Sequence, residues 1–127
     1  MLNKSVEILI VDDEFQVRRA IVRLLEASGY KNVREAESGM QALEELREKM
    51  ADLIISDLNM PPGMTGIELL RKIRTADNDL KDIPFLLVTG DDDPVRLEVA
   101  LKAGANGYIL KPISAEVLEK KINEIFP

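Results

Sequence analysis

Apolar runs and amphipathic segments alternate along the whole chain. Nearly continuous apolar runs occur at 6–11, 53–55, 85–88 and 108–110. Such runs are typical of strands that are buried on both faces, as in a parallel sheet. The run at 33–36 is shorter and more polar, which favours a strand at the edge of the sheet. The pattern therefore predicts five strands separated by helices.

The segments between these runs have helical spacing and their own start and stop signals. Gly29 and Gly104 follow two apolar-periodic segments and predict their ends. Polar residues that can cap a helix predict the starts: Ser38 with Gln41 and Thr65 with Glu68 (both with capping-box spacing), Asp93 before Pro94, and Ser114. A (βα) unit repeated five times predicts a single α/β doubly wound domain over residues 1–127.

Composition narrows the classes of function. The 127 residues are 46% hydrophobic and 31% charged, as in an ordinary globular domain. The formal charge of −6 argues against binding to nucleic acid or to an anionic membrane surface. There is no Cys and no His, which excludes disulfides, thiolate or imidazole metal sites and a histidine-based triad. No apolar run approaches the roughly 18 residues of a membrane span, so we expect a cytoplasmic protein.

Polar side chains follow four of the five predicted strands. Asp12 and Asp13 follow the first strand, Asp57 the third, Thr89 the fourth and Lys111 the fifth. In doubly wound folds, ligands bind beyond the carboxyl ends of the strands. We therefore expect these side chains to meet at one rim of the sheet.

The predicted rim is too acidic to be left without a cation. Each pair of carboxylates about 4 Å apart costs roughly 4 kcal/mol at an effective dielectric of about 20, and Lys111 cannot neutralise three of them. The hard oxygen ligands favour Mg²⁺, Mn²⁺ or Ca²⁺. Of these, Mg²⁺ commonly shares its ligands with phosphate oxygens, which makes Mg²⁺ the expected ion, with Mn²⁺ as a possible substitute. Lys111 and the Thr89 hydroxyl would stabilise a transferring phosphoryl group, and Gly90 would leave space for it.

Each of these residues has a plainer interpretation when it is taken alone. An acidic pair after a strand often only caps a helix, and a single Asp there often only forms a turn. A threonine at a strand end suits the strand, and most lysines are solvated. The run 91–93 is expected to be a solvated start of the next helix. The joint occurrence at successive strand ends is what favours a phosphoryl site.

The set Asp12-Asp13, Asp57, Thr89 and Lys111-Pro112 resembles the response-regulator receiver family, and in particular its chemotaxis-regulator-like members. The resemblance covers essentially the whole chain and includes the stretches 57–61 and 102–108. It implies a flavodoxin-like sheet of strand order 2-1-3-4-5, flanked by helices on both faces.

The resemblance also implies roles for individual residues. Asp57 is the expected phosphoacceptor, and Lys111-Pro112 is expected to have a cis peptide bond. The implied sets are catalytic Asp57, Thr89 and Lys111; Mg²⁺ ligands Asp13, Asp57 and the backbone carbonyl of Asn59, assisted by Asp12; phosphoryl-pocket residues Gly90 and Pro112; and the switch pair Thr89 and Tyr108. Gly66 lies one position further from Asp57 than is common in the family, so the intervening loop is expected to differ in shape.

The implied function is a signalling switch. A phosphohistidine on a sensor histidine kinase or a histidine phosphotransfer protein would donate the phosphoryl group, because this chain has no His and no nucleotide-binding motif. Catalysis would be limited to the protein's own phosphorylation and self-dephosphorylation. The donor protein is expected to contact Phe15, Gln16, Pro112 and Ile113. The output would be a downstream protein, or a C-terminal effector domain if the natural chain is longer, and the chain would be a monomer or weak dimer.

Three alternatives belong to other classes of function. A haloacid-dehalogenase-type phosphatase uses similar residues, but its nucleophile follows the first strand as Asp-x-Asp, whereas this chain has Asp12-Asp13-Glu14. A nucleotide- or flavin-binding module is disfavoured because no glycine-rich phosphate-binding motif occurs. A receiver-like docking module that is never phosphorylated is disfavoured because every expected side chain is present.

Overall fold

Five strands and five helices alternate along residues 4–58 and 63–126, the part of the chain that the computed structural model describes. The strands are β1 (Glu7–Val11), β2 (Asn32–Ala36), β3 (Leu53–Ser56), β4 (Phe85–Thr89) and β5 (Gly107–Leu110). The helices are α1 (Phe15–Ala27), α2 (Gly39–Glu48), α3 (Gly66–Arg74), α4 (Pro94–Lys102) and α5 (Ala115–Ile125), with a short 3-10 turn at Asp79–Asp82. The predicted (βα) repeat is confirmed, with strand bounds within one residue of those expected.

All strand pairs are parallel, and the sheet order is β2-β1-β3-β4-β5. The expected strand order is therefore confirmed, and the more polar β2 lies at an edge. β3 and β4 are buried at every position, because helices cover both faces of the sheet. Buried side chains of α1 and α5 pack on one face and those of α2, α3 and α4 on the other. No helix within the described ranges combines the length and apolarity that crossing a membrane requires.

Ser38, Thr65, Asp93 and Ser114 all cap their helices as predicted, but one of the two predicted capping boxes is incomplete. Thr65 and Glu68 form a reciprocal capping box, in which each side chain accepts the backbone N–H of the other residue. Ser38 accepts the N–H of Gln41 at 3.1 Å, but the Gln41 side chain accepts the N–H of Glu37 instead of that of Ser38. The second capping box is therefore only half formed, because the Glu37 amide is the donor within reach of Gln41.

The last helical residue of α3, Arg74, ties three segments together. Its guanidinium donates to the carbonyl of Ile83 at 2.6 Å, to that of Gly104 at 2.9 Å and to the side chain of Asn106 at 3.1 Å. Asn106 in turn exchanges hydrogen bonds with the backbone of Phe85, at 2.8 Å each. These bonds fix where β5 begins, and so position the residues at its carboxyl end.

Helix α3 starts in contact with the backbone of the predicted phosphoacceptor. The N–H of Gly66 donates to the carbonyl of Leu58 at 2.8 Å. A Cβ atom added to Gly66 would lie 2.0 Å from the carbonyl oxygen of Asp57, far inside van der Waals contact. Only glycine allows this approach, and the approach closes the loop that follows β3.

We expect Gly66→Ala to lower the free energy of unfolding by about 1–3 kcal/mol or more, because the methyl group must push the Asp57 backbone aside. Urea unfolding measures the change. Gly90→Ala is the matched control, since a Cβ there meets no atom within 4 Å. Equal effects of the two substitutions would show that the contact with Asp57 does not constrain the chain.

Candidate functional site

Hydrogen bonds of the sheet continue past the ends of the strands and hold the backbone of the rim residues. Three rim residues donate their N–H to the carbonyl of a residue on a neighbouring strand: Asp12 to Ala36 at 3.1 Å, Asp57 to Val11 at 3.0 Å, and Lys111 to Thr89 at 2.8 Å. The sheet therefore brings these side chains to one rim, as the order of polar residues along the chain predicted.

Two of the rim carboxylates are buried beside one ammonium group. Asp12 is 1% exposed and Asp57 is 7% exposed. The Nζ atom of Lys111 lies 3.3 Å from Oδ2 of Asp12 and 3.6 Å from Oδ2 of Asp57. The other oxygen of each carboxylate accepts a backbone N–H, from Glu14 at 2.9 Å and from Leu58 at 2.7 Å. Lys111 thus links two anions that would otherwise repel each other across the rim.

Burial raises the pKa of Asp12 above its ordinary value. The hydrogen bond from the Glu14 amide and the charge of Lys111 act in the opposite direction, while the charge of Asp57 adds to the effect of burial. The ionised form of Asp12 is therefore held at a cost in folding free energy. A cation beside Asp12 would remove part of that cost.

The acidic cluster contains one more residue than the sequence predicted. One carboxylate oxygen from each of Asp12, Asp13, Glu14 and Asp57 lies within 4.8 Å of the other three. Asp13 and Glu14 are exposed and Asp12 and Asp57 are buried, so the cluster opens to solvent on one side. A donor set made only of carboxylate oxygens fits Mg²⁺. Asn59, the other expected ligand, lies outside the described residues.

Glu14 was missed because an acid at the start of a helix is usually a cap. Here it is the N-cap position of α1, yet its side chain makes no capping hydrogen bond. The available signal was the run of three acids at 12–14, directly after a buried strand.

A cleft of about 460 Å³ opens over the acidic cluster. Thr89 lies in its wall and is 1% exposed, whereas Gly90 is exposed and leaves the space beside it open. The lining residues are Asp13, Glu14, Asp57, Thr89, Gly90, Asp91 and Lys111. Asp91 was expected to be solvated, but its side chain is only 11% exposed and is paired with Arg96. The cleft is large enough to admit a phosphoryl group next to Asp57, Thr89 and Lys111.

Pro112 faces a different depression from the one expected. The Lys111–Pro112 peptide bond is cis, as the resemblance implied. Pro112, however, does not line the acidic cleft. It lines a neighbouring, largely apolar groove of about 340 Å³ together with Gln16, Val17, Ala20, Lys111 and Ile113. Pro112 therefore lies on the side of the rim that faces α1.

The two predicted switch residues lie on adjacent strands and on the same face of the sheet. Tyr108 is the register partner of Leu87, two residues before Thr89 on β4. Tyr108 is half-buried and packs against the apolar layer beneath α2, α3 and α4, which also contains Leu87. The Thr89 hydroxyl oxygen accepts the N–H of Asp91 at 3.1 Å. Thr89 and Tyr108 therefore share one face of the sheet.

Comparisons with known proteins agree on one family. A family model described as the response regulator receiver domain matches residues 8–123. The chemotaxis protein CheY-3 of Vibrio cholerae serotype O1 is 44% identical over 126 residues, which are 99% of this chain and 95% of that protein. The chemotaxis protein CheY of Pseudomonas aeruginosa is 47% identical over 120 residues, 94% of this chain and 95% of that protein.

A solved structure agrees with these matches. The chemotaxis protein CheY4 of Vibrio cholerae superposes with a TM-score of 0.86 at 31% identity, covering 95% of this chain and 98% of that one. The phosphatase and nucleotide-binding alternatives are set aside by these matches. The docking-only alternative differs from a working receiver in whether Asp57 accepts a phosphoryl group, which is measurable.

We expect Asp12→Asn to raise the free energy of unfolding by about 1 kcal/mol at neutral pH without divalent ions, because it removes a buried charge that faces Asp57. The raised pKa of Asp12 means that its neutral form favours folding. That stabilisation is complete at pH values below the ordinary pKa of Asp and is lost as pH rises through the raised one. The gain from the substitution should therefore shrink as the pH is lowered.

Urea unfolding at two pH values, with and without MgCl₂, measures this effect. Mg²⁺ should stabilise the wild type more than Asp12→Asn, so saturating Mg²⁺ narrows or reverses the difference. Asp92→Asn is the control, because it removes an exposed charge from the same rim. A stability of Asp12→Asn below that of the wild type at neutral pH would contradict the assigned cost of burying the Asp12 charge.

Proposed function

This chain belongs to the response regulator receiver domain family, and we propose that it accepts a phosphoryl group on Asp57 at the acidic cleft. Membership of the family makes the chain a phosphorylation-based signalling switch. The observation that carries the finer proposal is the pairing of buried Asp57 with Lys111 inside a cleft that also contains the Thr89 hydroxyl.

The proposed reaction joins a carboxylate oxygen of Asp57 to the phosphorus of the donor. As this O–P bond forms, the P–N bond of a phosphohistidine breaks, and the imidazole nitrogen keeps the electron pair. Lys111 neutralises negative charge on the transferring oxygens, and the Thr89 hydroxyl donates a hydrogen bond to one of them. Attack of water on the phosphorus of the resulting acyl phosphate releases inorganic phosphate and restores the Asp57 carboxylate. The protein acts catalytically only on itself.

We propose that Asp13, Asp57 and the backbone carbonyl of Asn59 hold Mg²⁺, with Asp12 assisting and Mn²⁺ as a possible substitute. Members of the family typically bind Mg²⁺, and the clustered carboxylates of this chain fit that ion. When bound, Mg²⁺ supplies positive charge that lowers the electrostatic cost of bringing a phosphoryl group to an acidic cleft. Glu14 adds a further carboxylate beside the predicted ligands.

Receiver domains interact with histidine kinases and with downstream targets, and we propose a specific surface for the phosphodonor protein. The apolar groove of Gln16, Val17, Ala20, Pro112 and Ile113 shares Lys111 with the acidic cleft. A sensor kinase or a histidine phosphotransfer protein seated there would bring its phosphohistidine to Asp57. We also propose that the donor contacts Phe15, which is 64% exposed at the start of α1 and lines a separate depression with Arg18 and Arg19.

The proposed output is a change in the face that contains Tyr108. A phosphoryl group on Asp57 gives the Thr89 hydroxyl a charge-assisted acceptor and draws Thr89 towards it. Tyr108 then turns into the volume that Thr89 leaves. A downstream protein, or an effector domain in a longer chain, would distinguish the two arrangements. The chemotaxis proteins among the relatives favour a chemotaxis-type output, in the cytoplasm, from a single domain over 1–127.

We expect incubation with acetyl phosphate and Mg²⁺ to add the mass of one phosphoryl group to the wild type. Asp57→Asn should show no added mass, because an amide oxygen is a poor nucleophile. Intact-protein mass spectrometry measures both, and omission of Mg²⁺ should suppress the reaction. Asp92→Asn, an exposed acid on the same rim, should react like the wild type. Labelling of Asp57→Asn at the wild-type rate would refute the assignment of the acceptor.

We expect Thr89→Ala to remain able to accept a phosphoryl group on Asp57 while the response at Tyr108 is largely lost. The coupling that disappears is about 1–3 kcal/mol, the usual range between two sites. NMR of the Tyr108 ring, with and without the phosphoryl mimic beryllofluoride, measures it. Thr89→Ser keeps the hydroxyl and should retain most of the shift. A full wild-type shift in Thr89→Ala would mean that the signal reaches Tyr108 without Thr89.

A further inference from the structure

The loop between β4 and α4 contains a bidentate ion pair that adjoins the acidic cleft. Arg96 donates from Nε to Oδ2 of Asp91 at 2.5 Å and from Nη2 to Oδ1 at 3.1 Å. The Asp91 side chain is 11% exposed and lines the cleft together with Asp57 and Thr89. Both oxygens of the Asp91 carboxylate are therefore held by a residue that lies on α4.

The same carboxylate organises the start of the helix. Oδ1 of Asp91 also accepts the N–H of Asp93 at 3.0 Å. Asp93 is the N-cap of α4: its Oδ1 accepts the N–H of Val95 at 2.9 Å, and its Oδ2 lies 3.3 Å from Nη1 of Arg96. An arginine in the first turn of a helix is electrostatically unfavourable, because the positive end of the helix dipole lies there. The two aspartates offset that cost, so the pairing is what fits Arg96 to this position.

The backbone of Asp91 is hydrogen-bonded to Thr89, one of the two proposed switch residues. Its N–H donates to the Thr89 hydroxyl oxygen at 3.1 Å. The ion pair with Arg96 fixes the side chain of Asp91, and so restrains the amide that holds Thr89. Movement of Thr89 towards a phosphoryl group on Asp57 lengthens this hydrogen bond unless Asp91 moves as well.

We infer that Arg96 is a positioning residue which, through Asp91, holds Thr89 in its resting place and so opposes binding of a phosphoryl group at Asp57. The inference rests on the proposed phosphorylation of Asp57 and adds a restraint to it. The Asp91–Arg96 latch stabilises the resting arrangement only, so breaking it shifts the equilibrium towards the phosphorylated arrangement.

The charge of Arg96, considered alone, predicts the opposite effect on the binding of a phosphoryl mimic. Removing Arg96 takes a positive charge from the neighbourhood of an anion site, and on electrostatic grounds this weakens binding of an anionic phosphoryl mimic. Loss of the Asp91–Arg96 latch predicts instead that the mimic binds more tightly once Arg96 is removed. Raising the salt concentration to about 0.5 M shortens the Debye length to a few ångströms. This suppresses the long-range effect of the exposed charge more than it weakens the hydrogen-bonded contact between Arg96 and Asp91.

The test is the affinity of the full chain for beryllofluoride in saturating Mg²⁺, measured by NMR titration at about 0.1 M and about 0.5 M salt. Arg96→Ala should bind two- to fivefold more tightly at the higher salt, which is about what a partly exposed ion pair supplies. In the free variant, the Asp91 amide resonance should already be displaced towards its position in the bound wild type. Arg96→Lys keeps one donor and should recover part of the wild-type affinity.

Two further variants separate the latch from general effects on α4. In the Asp91→Asn background, Arg96→Ala should cause no additional change, because the two residues act as one unit. Lys102→Ala breaks the ion pair with Glu98, 3.0 Å at the other end of the same helix, and should leave the affinity unchanged.

The opposite results would overturn the inference. Unchanged or weaker binding by Arg96→Ala at the higher salt, or additive effects of the two substitutions, means that Arg96 does not restrain Thr89. Failure of the wild type itself to bind beryllofluoride with Mg²⁺ would instead refute the proposed phosphoryl site, which is a distinct result.

Discussion

The electrostatics of the rim depend on two buried carboxylates that share one ammonium group. Asp12 and Asp57 are almost fully covered, and Lys111 lies between 3 and 4 Å from both. With Asp13 and Glu14 beside them, negative charge exceeds positive charge at the rim. Burial is the main cause of the raised pKa of Asp12, and the charge of Asp57 adds to it. The excess of negative charge suits the cleft to a divalent cation, which can share its ligands with phosphate oxygens. Burying ionised carboxylates therefore lowers the free energy of unfolding, but it also provides the negative charge that a divalent cation needs.

The parallel sheet fixes the backbone positions of the residues at this site. The sheet hydrogen bonds that reach Asp12, Asp57 and Lys111 fix their backbones, although these residues lie beyond the regular strands. Two contacts from outside the sheet complete the support. Gly66 lets α3 start directly against the Asp57 backbone, and Arg74 fastens the connection that leads into β5. Functional side chains on loops are precise here because a rigid scaffold positions each loop.

The proposed signal starts at a single hydroxyl group with two different surroundings. On the sheet, Thr89 shares a face with Tyr108, and the proposed displacement of Thr89 would change packing on that face. In the following loop, the Thr89 oxygen accepts the amide of Asp91, whose side chain is paired with Arg96 on α4. One route passes through side-chain volume and the other through hydrogen bonds and charge. In the proposed mechanism both depend on where a bound phosphoryl group draws the hydroxyl, which would link chemistry at Asp57 to shape at α4 and β5.

The sequence by itself determined the alternating strands and helices, most helix starts, and the order in which Asp12, Asp57, Thr89 and Lys111 meet the rim. The strands, helices and helix starts follow from periodicity within short stretches of chain. The order of the rim residues follows from the continuous apolar runs, which indicate buried parallel strands whose carboxyl ends meet at one edge. Only the tertiary structure decided how side chains pair once the segments meet. It placed Pro112 in a groove shared with α1, turned Gln41 towards Glu37, paired the Asp91 carboxylate with Arg96, and gave Arg74 its partners on two other connections. Such pairings depend on side-chain direction and on segments distant along the chain, which neither spacing nor residue type specifies.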